Sequence, residues 1–222
     1  MTSHASKSAP ADEMVFLLHG IGKPAMDMKF VDKGLRKAGY ETFNWRYPSR
    51  KKDIAGLADE LAEVVEAHPA RKISFVAHSM GGIIVRAYLQ KYNPPNVGRF
   101  VMIGTPNQGA QLADWLSGWI VFRLWFGPAG LDLRQGDKGA CTRAGIPTCE
   151  FGIIAGGTGK KRGMNPLLPG DNDGTVTVDS TRLPGAKDFL LVPYPHPVIH
   201  YMPKTVKYTI QFLQSGQFRA AN

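Results

Sequence analysis

Short apolar runs alternate along this chain with segments whose hydrophobic residues recur at helical spacing. Met14 to His19, Tyr40 to Trp45, Ile73 to His78, Phe100 to Gly104, Phe151 to Ala155 and Phe189 to Val192 are rich in β-branched, aromatic and aliphatic residues and predict strands. Between them Ile54, Leu57, Leu61, Val64 and Val65 recur every three or four positions, as do Val206, Ile210 and Leu213 near the C-terminus. Both stripes are expected to face a sheet. Strands alternating with helices imply a parallel sheet joined by crossover helices. The run Val15 to Leu18 has no polar interruption, which suits a central strand covered on both faces.

At 222 residues the chain suits one domain with one core. The expected organisation is a flexible tail over residues 1–13 and a single domain over 14–222. The Gly- and Pro-rich stretch from Gly127 to Pro147, with the aromatic segment before it, is read as a cap or lid excursion over 115–147. A composition of 43% hydrophobic and 20% charged residues supports a packed interior and excludes a disordered chain.

Charge changes this picture little. The chain carries 27 Lys and Arg against 18 Asp and Glu, a formal +9. The basic residues form short clusters at Lys33 to Lys37, Arg50 to Lys52 and Lys160 to Arg162, scattered and without interleaved aromatics. They are read as solvated surface, and no nucleic-acid partner is expected. The N-terminal residues lack the apolar run of a secretory signal, so a cytoplasmic location is expected. The window Trp115 to Gly127 is broken by Arg123 and is shorter than the roughly 20 residues that span a bilayer. Peripheral contact with a membrane stays open. Cys141 and Cys149 are read as free thiols, a disulfide being the alternative in an exported protein.

The chemistry concentrates in one turn. Strand Ile73 to His78 runs directly into Ser79-Met80-Gly81-Gly82 and then into the helical run Ile83 to Tyr92. So sharp a strand-to-helix turn lifts the serine hydroxyl above the sheet edge, and it requires small residues two before and two after, here Ala77 and Gly81. The helix behind the serine directs free N–H groups and the positive end of its dipole toward an oxyanion forming there.

With this turn the sequence resembles the α/β-hydrolase superfamily, and within it the small bacterial lipase-like enzymes. Ala77 stands where the GxSxG pattern has its first glycine. Leu17-Leu18-His19-Gly20-Ile21-Gly22 resembles the strand-end HG motif, Gly104-Thr105-Pro106-Asn107-Gln108-Gly109 the GTPxxG stretch, and Gly170 to Val176 the DGxV loop that carries the acid. His196 to Leu213 resembles the loop and helix that present the catalytic histidine. The resemblance implies a three-layer fold, a mostly parallel sheet with helices on both faces, and a serine esterase or lipase acting on a small-molecule ester or lipid.

It also implies roles. Ser79 is the nucleophile, His196 the base and Asp173 the acid, with the N–H groups of Ile21 and Met80 as oxyanion donors. His200 is the alternative base, and Asp171 the alternative acid or a turn cap. His19 and His78 flank the site and are read as loop-orienting. Trp119 and Trp125, in the segment Trp115 to Phe126, are expected to cover an acyl pocket, with plain core packing as the rival reading.

Neither a cofactor nor a metal is expected. Gly156-Gly157-Thr158-Gly159-Lys160 lacks the leading glycine and the following Ser or Thr of a phosphate loop, and no HExxH spacing occurs. Oligomeric state is not readable. Within the fold, an acyltransferase and a catalytically silent binding module stand as alternatives to an ester hydrolase.

Overall fold

The computed structural model describes residues 11–116, 127–136 and 139–219. Six strands form one sheet: β1 (Ala11–Leu18), β2 (Glu41–Asn44), β3 (Ala70–His78), β4 (Val97–Ile103), β5 (Glu150–Gly156) and β6 (Asp188–Val192). Their order across the sheet is β2-β1-β3-β4-β5-β6, and every pairing is parallel. The expected sheet is therefore present, and among the described residues it is wholly parallel. Except for β2, which starts one residue later, its strands start one to three residues earlier than the apolar runs suggested, because polar positions such as Glu13, Lys72 and Arg99 continue the ladders below the core; residues 11–13, expected in the tail, thus belong to the sheet.

Alternation along each strand divides the core into two. Phe16, Leu18, Phe75, Ala77, Phe100, Met102, Phe151 and Ile153 point to one face, where helices α2 (Ile54–Ala67) and α3 (Met80–Tyr92) cover them. Val15, Leu17, Val76, Val101, Ile103, Ile154, Leu190 and Val192 point to the other, under α1 (Lys29–Lys37) and the C-terminal helix (Pro203–Ser215). Two covered faces explain why the strands read as continuous apolar runs. The three-layer arrangement follows.

The α2 stripe faces the sheet as expected, with Ile54, Leu57, Ala58 and Leu61 buried and Val64 and Val65 half-buried. The C-terminal stripe is turned. Thr205, Thr209, Phe212 and Leu213 are its buried residues, whereas Val206 and Ile210 lie toward α1. The cause is the close crossing at Gly34, where a β-carbon would stand 2.4 Å from Val206 Cγ1. The helix thus sets Val206 and Ile210 against α1 while Phe212 and the expected Leu213 join the core under the sheet.

Residues 117–126, which include Trp119 and Trp125, lie outside the described residues, as do 137 and 138, so the expected cap is described only at its two ends. Cys141 and Cys149 are free thiols, pushed up to about 12 and about 11 by burial. No described helix is long and apolar enough to cross a membrane.

Candidate active site

β3 ends at His78 and α3 begins at Met80, leaving Ser79 as the entire connection. Ser79 adopts φ 55° and ψ −126°, a positive φ rare for a residue with a β-carbon. Such a conformation costs on the order of 1–3 kcal/mol and persists only where surroundings impose it. Here the Ser79 N–H donates to Ile103 O at 2.9 Å, and Gly82 N–H donates to Ser79 O at 3.1 Å. A β-carbon on Gly81 would meet the backbone oxygens of Leu18 and His19 at 2.9 Å, so the turn closes only with glycine there.

His196, in the loop after β6, brings Nε2 to 3.0 Å from Ser79 Oγ and Nδ1 to 2.7 Å from Asp173 Oδ2. Asp173 is 1% exposed, and its other oxygen accepts the N–H groups of Val176 at 2.7 Å and Thr175 at 3.0 Å. The same turn also accepts a bond from the histidine loop, since the His196 N–H donates to Asp173 O at 2.9 Å. Carboxylate, imidazole and hydroxyl therefore form one continuous chain of hydrogen bonds. Both oxygens of the carboxylate are occupied, which fixes its orientation toward the ring.

Of the two histidines weighed, His196 is the one brought to Ser79. His200 is fully buried and places Nε2 3.0 Å from Asp27 Oδ2. Of the two acids, Asp173 reaches the histidine. Asp171 instead caps the Gly157 to Gly159 loop, accepting from Thr158 N at 2.7 Å and Gly159 N at 2.8 Å. The glycine run of that loop serves this clamp: a β-carbon on Gly157 would stand 2.7 Å from Asp171 Oδ2.

Ile21 lies in the loop after β1 and lines a cavity of about 290 Å³ together with Ser79 and His196. Met80 is buried and opens α3, so its N–H has no acceptor within the helix. Most of the remaining wall is apolar, with Pro106, Ala110, Leu112, Ala113, Leu133 and Val176, and Lys23, His78 and Thr175 also line it. Gly20 brings the Ile21 loop close, since a β-carbon there would stand 3.2 Å from Ser79 Cβ. Beneath the loop, His19 stacks on Tyr47 with centroids 4.1 Å apart, and the Tyr47 hydroxyl donates to His19 O.

His78, read from the sequence as loop-orienting, does hold a loop, whereas its neighbour Asp27 was not revealed by the sequence. His78 Nε2 lies 3.2 Å from His196 O, and its ring stacks on His200 at 3.9 Å. Burial holds the His78 imidazole well below the usual histidine range, with the charges of His200 and His196 acting in the same direction. Burial opposes ionisation of Asp27, but the adjacent His200 imidazole and the hydrogen bond from the Tyr201 hydroxyl outweigh it and hold the carboxyl below its ordinary range. Among the described residues, Asp27, His78 and His200 form the one group with ligand atoms near enough to hold a metal, all within 4.8 Å. They supply three ligands where a closed zinc site takes four, and the Lys23 ammonium already stands 3.9 Å from Asp27 Oδ1.

Arg86 is the other missed residue. Its buried guanidinium donates to Gly145 O at 2.6 Å, Cys141 O at 2.9 Å and both oxygens of Asn107. It ties α3 to the loops that follow β4 and precede β5. Burial lowers it to about 10. The available signal was a charge set inside the apolar run Ile83 to Tyr88.

The profile of the alpha/beta hydrolase fold family matches residues 13–129, and the chain belongs to that family. Among solved structures it is similar to the mature Bacillus licheniformis lipase BlEst2, with 24% identity, 89% of this chain and 90% of that one covered, and a TM-score of 0.65. Phospholipase PlaB from Legionella pneumophila aligns at 16% identity over 94% of this chain and 60% of its own, with a TM-score of 0.70. A bromoperoxidase from Bacillus anthracis aligns at 15% identity over 92% of both chains, with a TM-score of 0.64. A search of curated proteins finds no match. At these identities the neighbours establish the fold, and their differing names leave the reaction to be argued from the site.

Proposed function

We propose that the protein hydrolyses carboxylic esters through an acyl-enzyme on Ser79. The observation that carries this reading is the chain Asp173 Oδ2, His196 Nδ1, His196 Nε2, Ser79 Oγ, with spacings of 2.7 and 3.0 Å, at the edge of an apolar cavity. His196 takes the serine proton as Oγ attacks the ester carbonyl, while Asp173 stabilises the imidazolium and holds its tautomer. The Ile21 and Met80 N–H groups stabilise the tetrahedral oxyanion, each such donor being worth roughly 3 kcal/mol. The imidazolium returns its proton to the departing alcohol. Water, deprotonated by the same imidazole, then attacks the acyl-serine and releases the acid.

The test is a panel of esters from acetate to long-chain glycerides, assayed with wild type and Ser79→Ala. Turnover of p-nitrophenyl esters is expected from wild type and is expected to vanish in the variant. Retained activity in Ser79→Ala would overturn the assignment. A silent binding module would leave Ser79 unlabelled by a fluorophosphonate probe. An acyltransferase would pass the acyl group to an added alcohol or amine far faster than to water.

A further inference from the structure

A second cavity, of about 540 Å³, shares Lys23 with the acyl cavity and is lined by Gly22, the residue after Ile21. Its wall is built from Lys23, Arg46, Tyr47, Ser49, Arg50 and Lys51, and no acidic side chain lines it among the described residues. Four cations thus converge on one concavity. Read along the sequence, Arg50 and Lys51 belong to a short basic run of solvated surface. The fold gives that run a concave shape and a position beside the nucleophile.

Three observations join this cavity to the reacting centre. Lys23 lines both cavities, as the one Lys or Arg at the wall of the mostly apolar acyl cavity. The loop between them is fastened to the basic wall, because the Gly22 N–H donates to Ser49 Oγ at 2.9 Å and the Tyr47 hydroxyl donates to His19 O. Gly22 follows directly on Ile21, the proposed oxyanion donor. An anion held in the basic cavity therefore bears on the same loop that positions the Ile21 N–H.

Resting on the esterase reading above, we infer that the natural substrate is an ester whose alcohol portion carries an anionic group, of the phosphate monoester class. The acyl chain occupies the apolar cavity, and the anion lies among Lys23, Arg46 and Lys51 beyond the loop. Part of Lys23's charge is engaged by Asp27 at 3.9 Å, which leaves Arg46 and Lys51, both exposed, as the principal attraction. Concave cationic surfaces concentrate field and raise the local concentration of anionic substrate. Binding energy from a remote anion also contributes to catalysis where it holds an oxyanion donor in place.

The experiment compares the butyrate esters of glycerol 3-phosphate and of glycerol, with p-nitrophenyl butyrate as a neutral reference. At low ionic strength, kcat/KM for the phosphate-bearing ester is expected to exceed that of the glycerol ester by about tenfold. In Arg46→Glu/Lys51→Glu the ratio should fall to about one or below, with p-nitrophenyl butyrate turnover unchanged. In 1 M NaCl, where the screening length is roughly 3 Å, the ratio should also collapse. Equal rates on the two glyceryl esters, turnover of the p-nitrophenyl ester with neither of them, or a ratio untouched by charge reversal would overturn the inference while leaving the esterase reading standing. Failure on every ester overturns the esterase reading, and this inference with it.

Discussion

His78 Nε2 stands 3.2 Å from the backbone oxygen of His196, so the residue before the proposed nucleophile holds the loop of the proposed base. The acceptor is a carbonyl, which places the proton on Nε2, and burial keeps the ring neutral. This bond spans the two chain segments that must meet within a few tenths of an ångström for proton transfer. His78→Leu is expected to lower kcat about 10- to 100-fold, in line with the cost of small misplacements at a reacting centre. His78→Gln, which can offer an N–H near the same point, should recover part of that loss. Equal kcat in wild type and His78→Leu would show that the bond does not position His196.

The same residue shapes the dependence of stability on pH. The folded state holds His78 and His19 below the usual value of 6.5, burial being the main cause for both. The unfolded chain takes up protons near pH 6.5 and the folded chain does not, so stability falls as pH drops below about 6.5 and is unaffected by these groups above it. Each imidazole contributes a slope of at most about 1.4 kcal/mol per pH unit. Asp27, held low instead, adds its own loss only further down, as the pH falls into and below the ordinary carboxylate range. Urea unfolding followed from pH 8 to pH 5 should show the decline, and a level profile would contradict it.

Ser79 stores backbone strain that a residue without a β-carbon does not feel. Ser79→Gly is therefore expected to abolish ester turnover and to stabilise the fold by about 1 kcal/mol, seen as a raised midpoint in urea. A lowered midpoint would mean that the serine side chain contributes more to the turn than its φ costs.

Arg86 has no carboxylate among its hydrogen-bond acceptors, yet it satisfies carbonyl oxygens on two loops. Arg86→Ala leaves those acceptors buried without donors and is expected to cost at least about 1–3 kcal/mol. Arg86→Lys should be only a partial substitute, because an ammonium cannot reproduce the planar fork. Thermal or urea unfolding of the two variants checks both.

Asp173→Asn should reduce kcat by about 10⁴-fold, since an amide presents a donor to the histidine or stabilises the wrong tautomer. Asp171→Asn, which perturbs only the cap of the Gly157 to Gly159 loop, should keep most activity. The pair of variants separates the two acids that the sequence left in competition.

Much of this was legible in the chain. Strand and helix succession follows from local hydrophobic patterning, and uninterrupted apolar runs such as Val15 to Leu18 announce a sheet covered on both faces. The turn at Ser79 was also readable, because the requirement for small residues at 77 and 81 is local and steric. Ile21, Asp173 and His196 came from resemblance to motifs.

What the sequence could not determine involves pairs far apart in it. His196 and His200 are four positions apart and chemically identical, and only the packing of the last loop turns one toward Ser79 and the other toward Asp27. Val206 looked like a sheet-facing residue until the Gly34 crossing turned it toward α1. Arg50 to Lys52 was a solvated basic cluster until the fold set Arg50 and Lys51 against Lys23 and Arg46. Local sequence thus determined the elements and the strained serine turn, because propensity and steric fit act over a few residues. The tertiary structure decided which histidine, which acid and which cations meet, because those contacts depend on how distant segments pack.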